Sequence, residues 1–262
     1  MKQYKRLFTF GCSFTMHTWP TWADIMHKEL RDSEYHNMGR GGAGQQYIYT
    51  TIIEANKKYK FNEDDLVMVM WSTHCREDRY RYRGRDNYAN WLTQGNIFNP
   101  HNAVQVHDDK FMKEYVNVQD YFIRDLTLIS LAETVLKATK SDYKLMLSVP
   151  LLDIDANSDM GDPSEIGQFY KDLISTYTDK SVFETIGYQW SGAKVLNGNG
   201  EVHNDTHPTP EAYLNFLKEI GYTLSEGTED YAKESTRFIQ DNLMAPHDLA
   251  THFNLNPRHA VL

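Results

Sequence analysis

The 262-residue chain holds only two cysteines, Cys12 and Cys75. Two thiols make no disulfide framework, so a reducing, intracellular setting is the simpler expectation. There is no apolar run near the roughly 20 residues that a membrane-spanning helix needs. The opening MKQYKRLFTFGCSF lacks the long apolar stretch and small-residue cleavage pattern of a signal peptide, so a cytoplasmic location is expected. An excess of positive charge is missing too. The net charge of −9 argues against general binding to nucleic acid or anionic membranes, because neutralising phosphates needs a basic footprint. No internal repeat and no low-complexity linker divides the chain.

What is present is a globular composition, 40% hydrophobic and 24% charged, enough to bury one sizeable core. YKRLFTF (4–10) reads as a short strand that ends abruptly at Gly11. WADIMHKELRD (22–32) puts Trp22, Ile25, Met26 and Leu30 on one helical face, and EYHNM (34–38) reads as a second strand. QQYIYTTIIEANKKY (45–59) is expected to be helical, and LVMVMW (66–71) a strand buried on both faces. A long helix over 121–140, a strand over 143–149 and a helix over 164–177 continue the pattern. VFETIGY (182–188) is expected to be a last strand, and PTPEAYLNFLKEIG (208–221) opens as a helix with proline in its first turn. Strands alternating with helices in this way imply an α/β fold with a parallel sheet covered on both faces.

Two regions break the rhythm. Residues 76–118, rich in Arg, Tyr, Asn and Gln, are too long for a plain loop and read as a structured insertion, such as a lid. Residues 222–262 form a C-terminal extension with one helix, TEDYAKESTRFIQDNL, and then no clear periodicity. The simplest division is therefore a domain over 1–221, carrying the insertion, followed by that extension.

Three motifs carry chemistry. Ser13, in FTFGCSFT, stands where the first strand ends, and ligands gather at the carboxyl ends of parallel strands. It is not in a G-x-S-x-G elbow, because position 15 is threonine. His207, in HNDTHPTPEAY, precedes the C-terminal helix and supplies the imidazole that a serine hydroxyl needs to become a nucleophile. Asp205, two residues earlier, is the carboxylate to orient it. The third motif is the glycine cluster GRGGAG (39–44). It formally matches a dinucleotide fingerprint, but it follows the second strand rather than the first, and no acidic residue closes the next strand. No Gly-Lys-Ser/Thr follows, so it is not a P-loop.

FGCSFT, NMGRGGAG and DTHP, taken together, resemble blocks I, II and V of the SGNH/GDSL hydrolases. The resemblance covers roughly residues 4–220 and implies a three-layer, flavodoxin-like α/β fold and hydrolysis of an acyl ester. By it, Ser13 is the nucleophile and its amide one oxyanion donor. Gly42, five residues after Asn37, is the second donor, and His207 is the base oriented by Asp205. The sequence departs from the family in three places. GCS replaces the usual GDS. MWSTHCRED stands where Gly-x-Asn-Asp is usual, so His74 takes the place of the oxyanion asparagine, with Ser72 and Thr73 as other donors. Asp205 makes Asp-x-His, where the family has Asp-x-x-His with the aspartate three residues before the histidine. No organic cofactor and no metal are implied: there is no H-E-x-x-H, and the turn residues between His203 and His207 argue against a shared helix face.

REDRYRYRGR (76–85) places Arg79, Arg81, Arg83 and Arg85 at period two, which reads either as solvated charge or as a flap meeting an anionic substrate. Arg76 lies close enough behind the third block to reach the crevice. Trp91 and the amides around it suit sugar stacking and hydrogen bonding. The expected partner is thus a small-molecule or glycan ester. The alternative is a hydrolase fold whose site has decayed, kept as a glycan-binding or structural component of a viral or bacterial assembly.

Overall fold

The computed structural model describes residues 2–74, 76–83, 88–97, 107–151, 170, 172, 177, 180–187 and 192–255. Five apolar-rich segments build its centre. Strand β1 (Arg6–Phe10) is followed by helix α1 (Trp22–Glu29), strand β2 (Glu34–Asn37), helix α2 (Gln45–Tyr59) and strand β3 (Asp65–Trp71). All seven residues of β3 are buried, as an apolar strand covered on both faces must be. Thr21 caps α1 in a capping box with Asp24, and Trp22, Ile25 and Met26 of its inner face are buried.

Beyond β3 the insertion opens with an antiparallel hairpin, β4 (Arg76–Arg83) and β5 (Tyr88–Asn96). Helix α3 (Asp109–Tyr115) and the long helix α4 (Val118–Ala138) lead to strand β6 (Asp142–Leu147). The main sheet is parallel, in the order β2-β1-β3-β6. The chain moves from β1 outward to β2, then crosses back to β3 on the other side of β1. That reversal opens a crevice at the carboxyl ends of β1 and β3, the place where open α/β sheets bind ligands.

The remaining elements are α5 (Val182–Thr185), the hairpin β7 (Ala193–Leu196) and β8 (Val202–Asp205), α6 (Pro210–Glu219), α7 (Glu226–Asp241) and α8 (Pro246–His252). Helices α1, α6 and α7 pack together as one layer, while α2 and α4 pack together as another, giving three layers. This is the α/β architecture expected from the sequence, with two corrections. VFETIGY is not a strand: Ser181 and Glu184 form a capping box that starts the short helix α5. Residues after α7 do contain a helix, α8, with Pro246 in its first turn. The helix expected over 164–177 lies almost wholly outside the described residues.

The C-terminal helices are also less separate than an appended tail. Leu224 and Ala232 join the main core. Ile239 and Leu249 form a second cluster with Trp19, Ala193 and Val195.

Candidate active site

The chain leaves β1 through Gly11, whose φ of +157° is one that side-chain-bearing residues rarely adopt. A Cβ there would collide with the Thr15 hydroxyl and stand 2.8 Å from Met70 O of the neighbouring strand. Glycine therefore permits the tight turn that follows. The amides of Thr15 and Met16 both donate to Cys12 O, at 3.0 and 3.1 Å, closing one turn around Ser13. Asn37 at the end of β2 donates to Thr15 O at 3.0 Å and ties that turn to the sheet. Ser13 is partly buried, and among the described residues its amide and hydroxyl have no hydrogen-bond partner. Cys12, beside it, is a fully buried free thiol. Cys75 lies outside the described residues.

Asp205 ends β8, and the chain turns at once so that the His207 amide donates to Asp205 Oδ1 at 3.0 Å. The same oxygen lies 2.6 Å from His207 Nδ1. A carboxylate can only accept, so Nδ1 carries the proton and Nε2 is left as the basic nitrogen. Burial works to raise the Asp205 pKa, but hydrogen bonds from His17 and His207 hold it well below the usual carboxylate range.

Three aromatic residues of the Ser13 loop lie on this segment. The Phe14 ring is 5.7 Å from the His207 ring. The His17 ring stacks on it at 4.1 Å. Trp19 Nε1 donates to Pro208 O at 2.9 Å. The Ser13 loop and His207, about 190 residues apart in sequence, are thus held side by side.

His17 escaped the sequence reading. Its Nε2 stands 3.2 Å from Asp205 Oδ2, so the carboxylate has an imidazole at each oxygen. His17, Asp205 and His207 are the one cluster with metal-ligand spacing among the described residues. In the structure the two rings stack face to face, 25° from parallel, and their nitrogens address the two carboxylate oxygens at 3.2 and 2.6 Å.

On the other side of the crevice is the loop 39–44. Gly42 has φ +74°, and a Cβ there would lie 3.0 Å from Thr93 O of β5. The insertion grips this loop at several points. Thr93 Oγ1 donates to Gly41 O at 2.7 Å and the Gly95 amide to Gly42 O at 2.9 Å. Arg40 donates to Trp91 O at 2.6 Å. Asp78 is fully buried and accepts from the Gly44 and Tyr47 amides at 3.0 and 2.9 Å, capping α2 from another part of the chain. Burial pushes its pKa up to about 6 against the lowering effect of those bonds.

Other expected site residues fall elsewhere. His74 is engaged at both ring nitrogens: Nε2 is 2.8 Å from Leu151 O, and Nδ1 is 3.5 Å from the buried Asp125 carboxylate. Both ring nitrogens thus face acceptors within the fold, a carbonyl and a carboxylate. Thr73 Oγ1 accepts from Arg76 Nε at 2.9 Å. Ser72 Oγ is buried with no hydrogen-bond partner among the described residues.

The arginines are also occupied. Arg76 donates to Ala43 O at 3.0 Å, so it braces the glycine loop. Arg79 pairs with the buried Glu77 at 2.5 Å. Arg81 lies in β4 opposite Asn90, and its side chain is outside the described residues, as is all of Arg85. Trp91 is partly buried between Tyr47 and the half-exposed Tyr80, with ring centroids at 5.6 and 5.5 Å.

The site is that of an α/β protein with a serine turn, an Asp-His pair and a glycine loop at the carboxyl end of a parallel sheet. No protein-family model matches the sequence, and no curated protein does. Solved structures similar to the chain include a lipolytic protein of the G-D-S-L family from Veillonella parvula. It is 15% identical, with 82% of this chain and 94% of that one covered and a TM-score of 0.38. A GDSL-like lipase from Bacteroides thetaiotaomicron is 14% identical, with 87% and 89% covered and a TM-score of 0.39. A catalytic mutant of an acetylxylan esterase from Geobacillus stearothermophilus is 14% identical, with 86% and 99% covered and a TM-score of 0.43.

Proposed function

We propose that the protein is a serine ester hydrolase with Ser13 as nucleophile, His207 as base and Asp205 as its orienting carboxylate. The observation that carries this reading is the 2.6 Å contact between His207 Nδ1 and Asp205, on a segment stacked against the Ser13 loop. With Nδ1 protonated, Nε2 takes the Ser13 proton as Oγ attacks the acyl carbonyl. His207 then protonates the leaving alcohol and activates the water that releases the acid. The amides of Ser13 and Gly42 receive the developing oxyanion. Nothing in this sequence of proton transfers calls on a metal or organic cofactor.

A carbohydrate ester suits the surroundings. Trp91 and the half-exposed Tyr80 stand on the hairpin that contacts the Gly41–Gly42 peptide, an aromatic surface on which a sugar ring can stack. A second reading, a site retained for glycan binding without turnover, is favoured by one observation: His74 offers no free donor where the third block usually supplies one.

Intact-mass labelling with a fluorophosphonate separates the two. A single adduct on the wild type that is absent in Ser13→Ala supports the hydrolase, and acetylated sugars and short acyl esters become the substrates to screen. A folded wild type that takes up no adduct overturns it in favour of glycan binding.

A further inference from the structure

The hairpin of the insertion makes contacts that a lid would not make. Thr93 Oγ1 donates to Gly41 O at 2.7 Å, and the Gly95 amide donates to Gly42 O at 2.9 Å. The two carbonyls flank a single residue, Gly42, so the peptide units on both sides of its α-carbon are held from β5. The first of these is the unit that matters for an oxyanion. In a planar trans peptide the C=O of one residue and the N–H of the next point in opposite directions. Fixing the Gly41 carbonyl therefore fixes the Gly42 N–H, which among the described residues donates to nothing.

Glycine alone would not hold this orientation. Gly42, at φ +74° and with no side chain, follows the exposed Gly41, where a Cβ would meet nothing within 4 Å. The Gly41–Gly42 peptide thus has no side chain of its own to anchor it, unlike the buried Ala43 that follows. A peptide in such open surroundings can rotate, turning its N–H away and its carbonyl inward. An inward carbonyl would repel an oxyanion instead of binding it.

We propose that Thr93 is a positioning residue: its hydroxyl locks the Gly41–Gly42 peptide so that the Gly42 N–H faces the crevice. The insertion is then the mount of one oxyanion donor. Arg40 Nε, 3.3 Å from Thr93 Oγ1, helps direct the hydroxyl proton towards Gly41, since the oxygen accepts from the guanidinium while it donates to the carbonyl. The backbone of the same threonine closes the other escape, with Thr93 O at 3.0 Å from where a Gly42 Cβ would be. Asp78, the cross-strand neighbour of Thr93, and Arg76 fasten the same end of the hairpin to Gly44 and Ala43. The inference rests on the hydrolase reading for its effect on turnover, but the locked peptide itself does not.

The test compares Thr93→Val, which keeps the shape and loses the hydroxyl, with Thr93→Ser, which keeps the hydroxyl. On a short acyl ester, Thr93→Val should lower kcat by roughly tenfold, the loss expected for one misdirected hydrogen bond, with KM little changed. Thr93→Ser should restore most of it. A merely structural role would lower both variants together, or raise KM, and would overturn the proposal, as would full activity in Thr93→Val.

The residual dipolar coupling of the Gly42 N–H, measured by NMR in the wild type and both variants, reads the direction of that bond without any catalysis. It should change in Thr93→Val and return in Thr93→Ser; the same coupling in all three sinks the proposal even if Ser13 is a competent nucleophile. If the coupling pattern holds but the wild type takes no fluorophosphonate adduct, the hydrolase reading has failed and the locked peptide stands.

Discussion

The two walls of the crevice are built by different means. On one wall, His207 is held by ring contacts with Phe14 and His17, and Trp19 links it to an apolar cluster with β7, α7 and α8. On the other wall, the Gly42 loop buries one small side chain, Ala43, and is otherwise held by directional hydrogen bonds from Thr93, Gly95, Arg76 and Asp78. A base needs a basic nitrogen aimed at one hydroxyl, and packing on a planar ring fixes that well. An oxyanion donor is a backbone N–H, and only hydrogen bonds to its own peptide fix its direction. Each wall uses the kind of restraint that its chemical group can accept.

The largest expected effect breaks the first wall at its charge. Asp205→Asn keeps the shape but not the carboxylate, and the His207 tautomer is no longer imposed. Turnover should fall by about 10³–10⁴ while fluorophosphonate labelling still proceeds slowly. A loss below tenfold would show that another group orients His207. Gly42→Ala attacks the second wall. The new methyl meets Thr93 O at 3.0 Å in a left-handed conformation, so the loop must shift. The expected loss is about 10²–10³ in kcat, the usual cost of one oxyanion donor. Wild-type kcat in this variant would remove Gly42 from the mechanism.

These effects also mark how much of the site was legible beforehand. Ser13, His207 and Asp205 were singled out from short local motifs at a strand end and before a helix, and Gly42 from the resemblance to the second family block. The structure gathers their segments at one end of the sheet. The central sheet was equally legible, since β3 and β6 are apolar runs and α1 has a clear helical face. VFETIGY misled because its apolar content outweighed the Ser181–Glu184 capping signal. The hairpin β7/β8, joined across Asn197–Gly200, was passed over although its Asn-Gly pairs are a turn signal.

His17, Thr93 and Asp78 were out of reach. Their roles come from partners 188, 52 and 34 residues away, and no local pattern records such distances. Of the arginine stripe 79–85 only the Arg79 side chain lies among the described residues. It is half-exposed and pairs with buried Glu77, while Arg76, just before the stripe, donates to the Ala43 carbonyl.

A third experiment asks whether the first wall depends on the C-terminal helices. Leu249 of α8 is fully buried beside Trp19 and Ile239. Leu249→Ala should cost about 2–4 kcal/mol of stability by lost burial and a residual cavity, read as a lower midpoint in urea. If the helices are a detachable tail, the unfolding midpoint of the domain that carries the sheet will not move.

The smallest effect separates the walls by pH. Asp78 is protonated in the folded protein up to about 6, because burial outweighs the amides it accepts from. In the unfolded chain it releases its proton near 4, the ordinary aspartate value. Between those values the folded state binds the extra proton, so stability rises as pH falls from about 7 towards 4. Asp205 runs the other way. Its folded pKa is depressed, so its contribution is present above the ordinary aspartate range and is lost only in stronger acid.

Other shifted groups, such as Glu54 and His27, also titrate near this range, so Asp78 is isolated by the difference between wild type and variant, in which their contributions cancel. Asp78→Asn should remove a slope of about 1 kcal/mol per pH unit there, seen as wild type gaining thermal stability on the variant as the buffer is acidified. Parallel melting curves for the two would mean that Asp78 keeps its charge across the window. The α2 cap would then be a carboxylate held by its amides, and burial would have lost that contest.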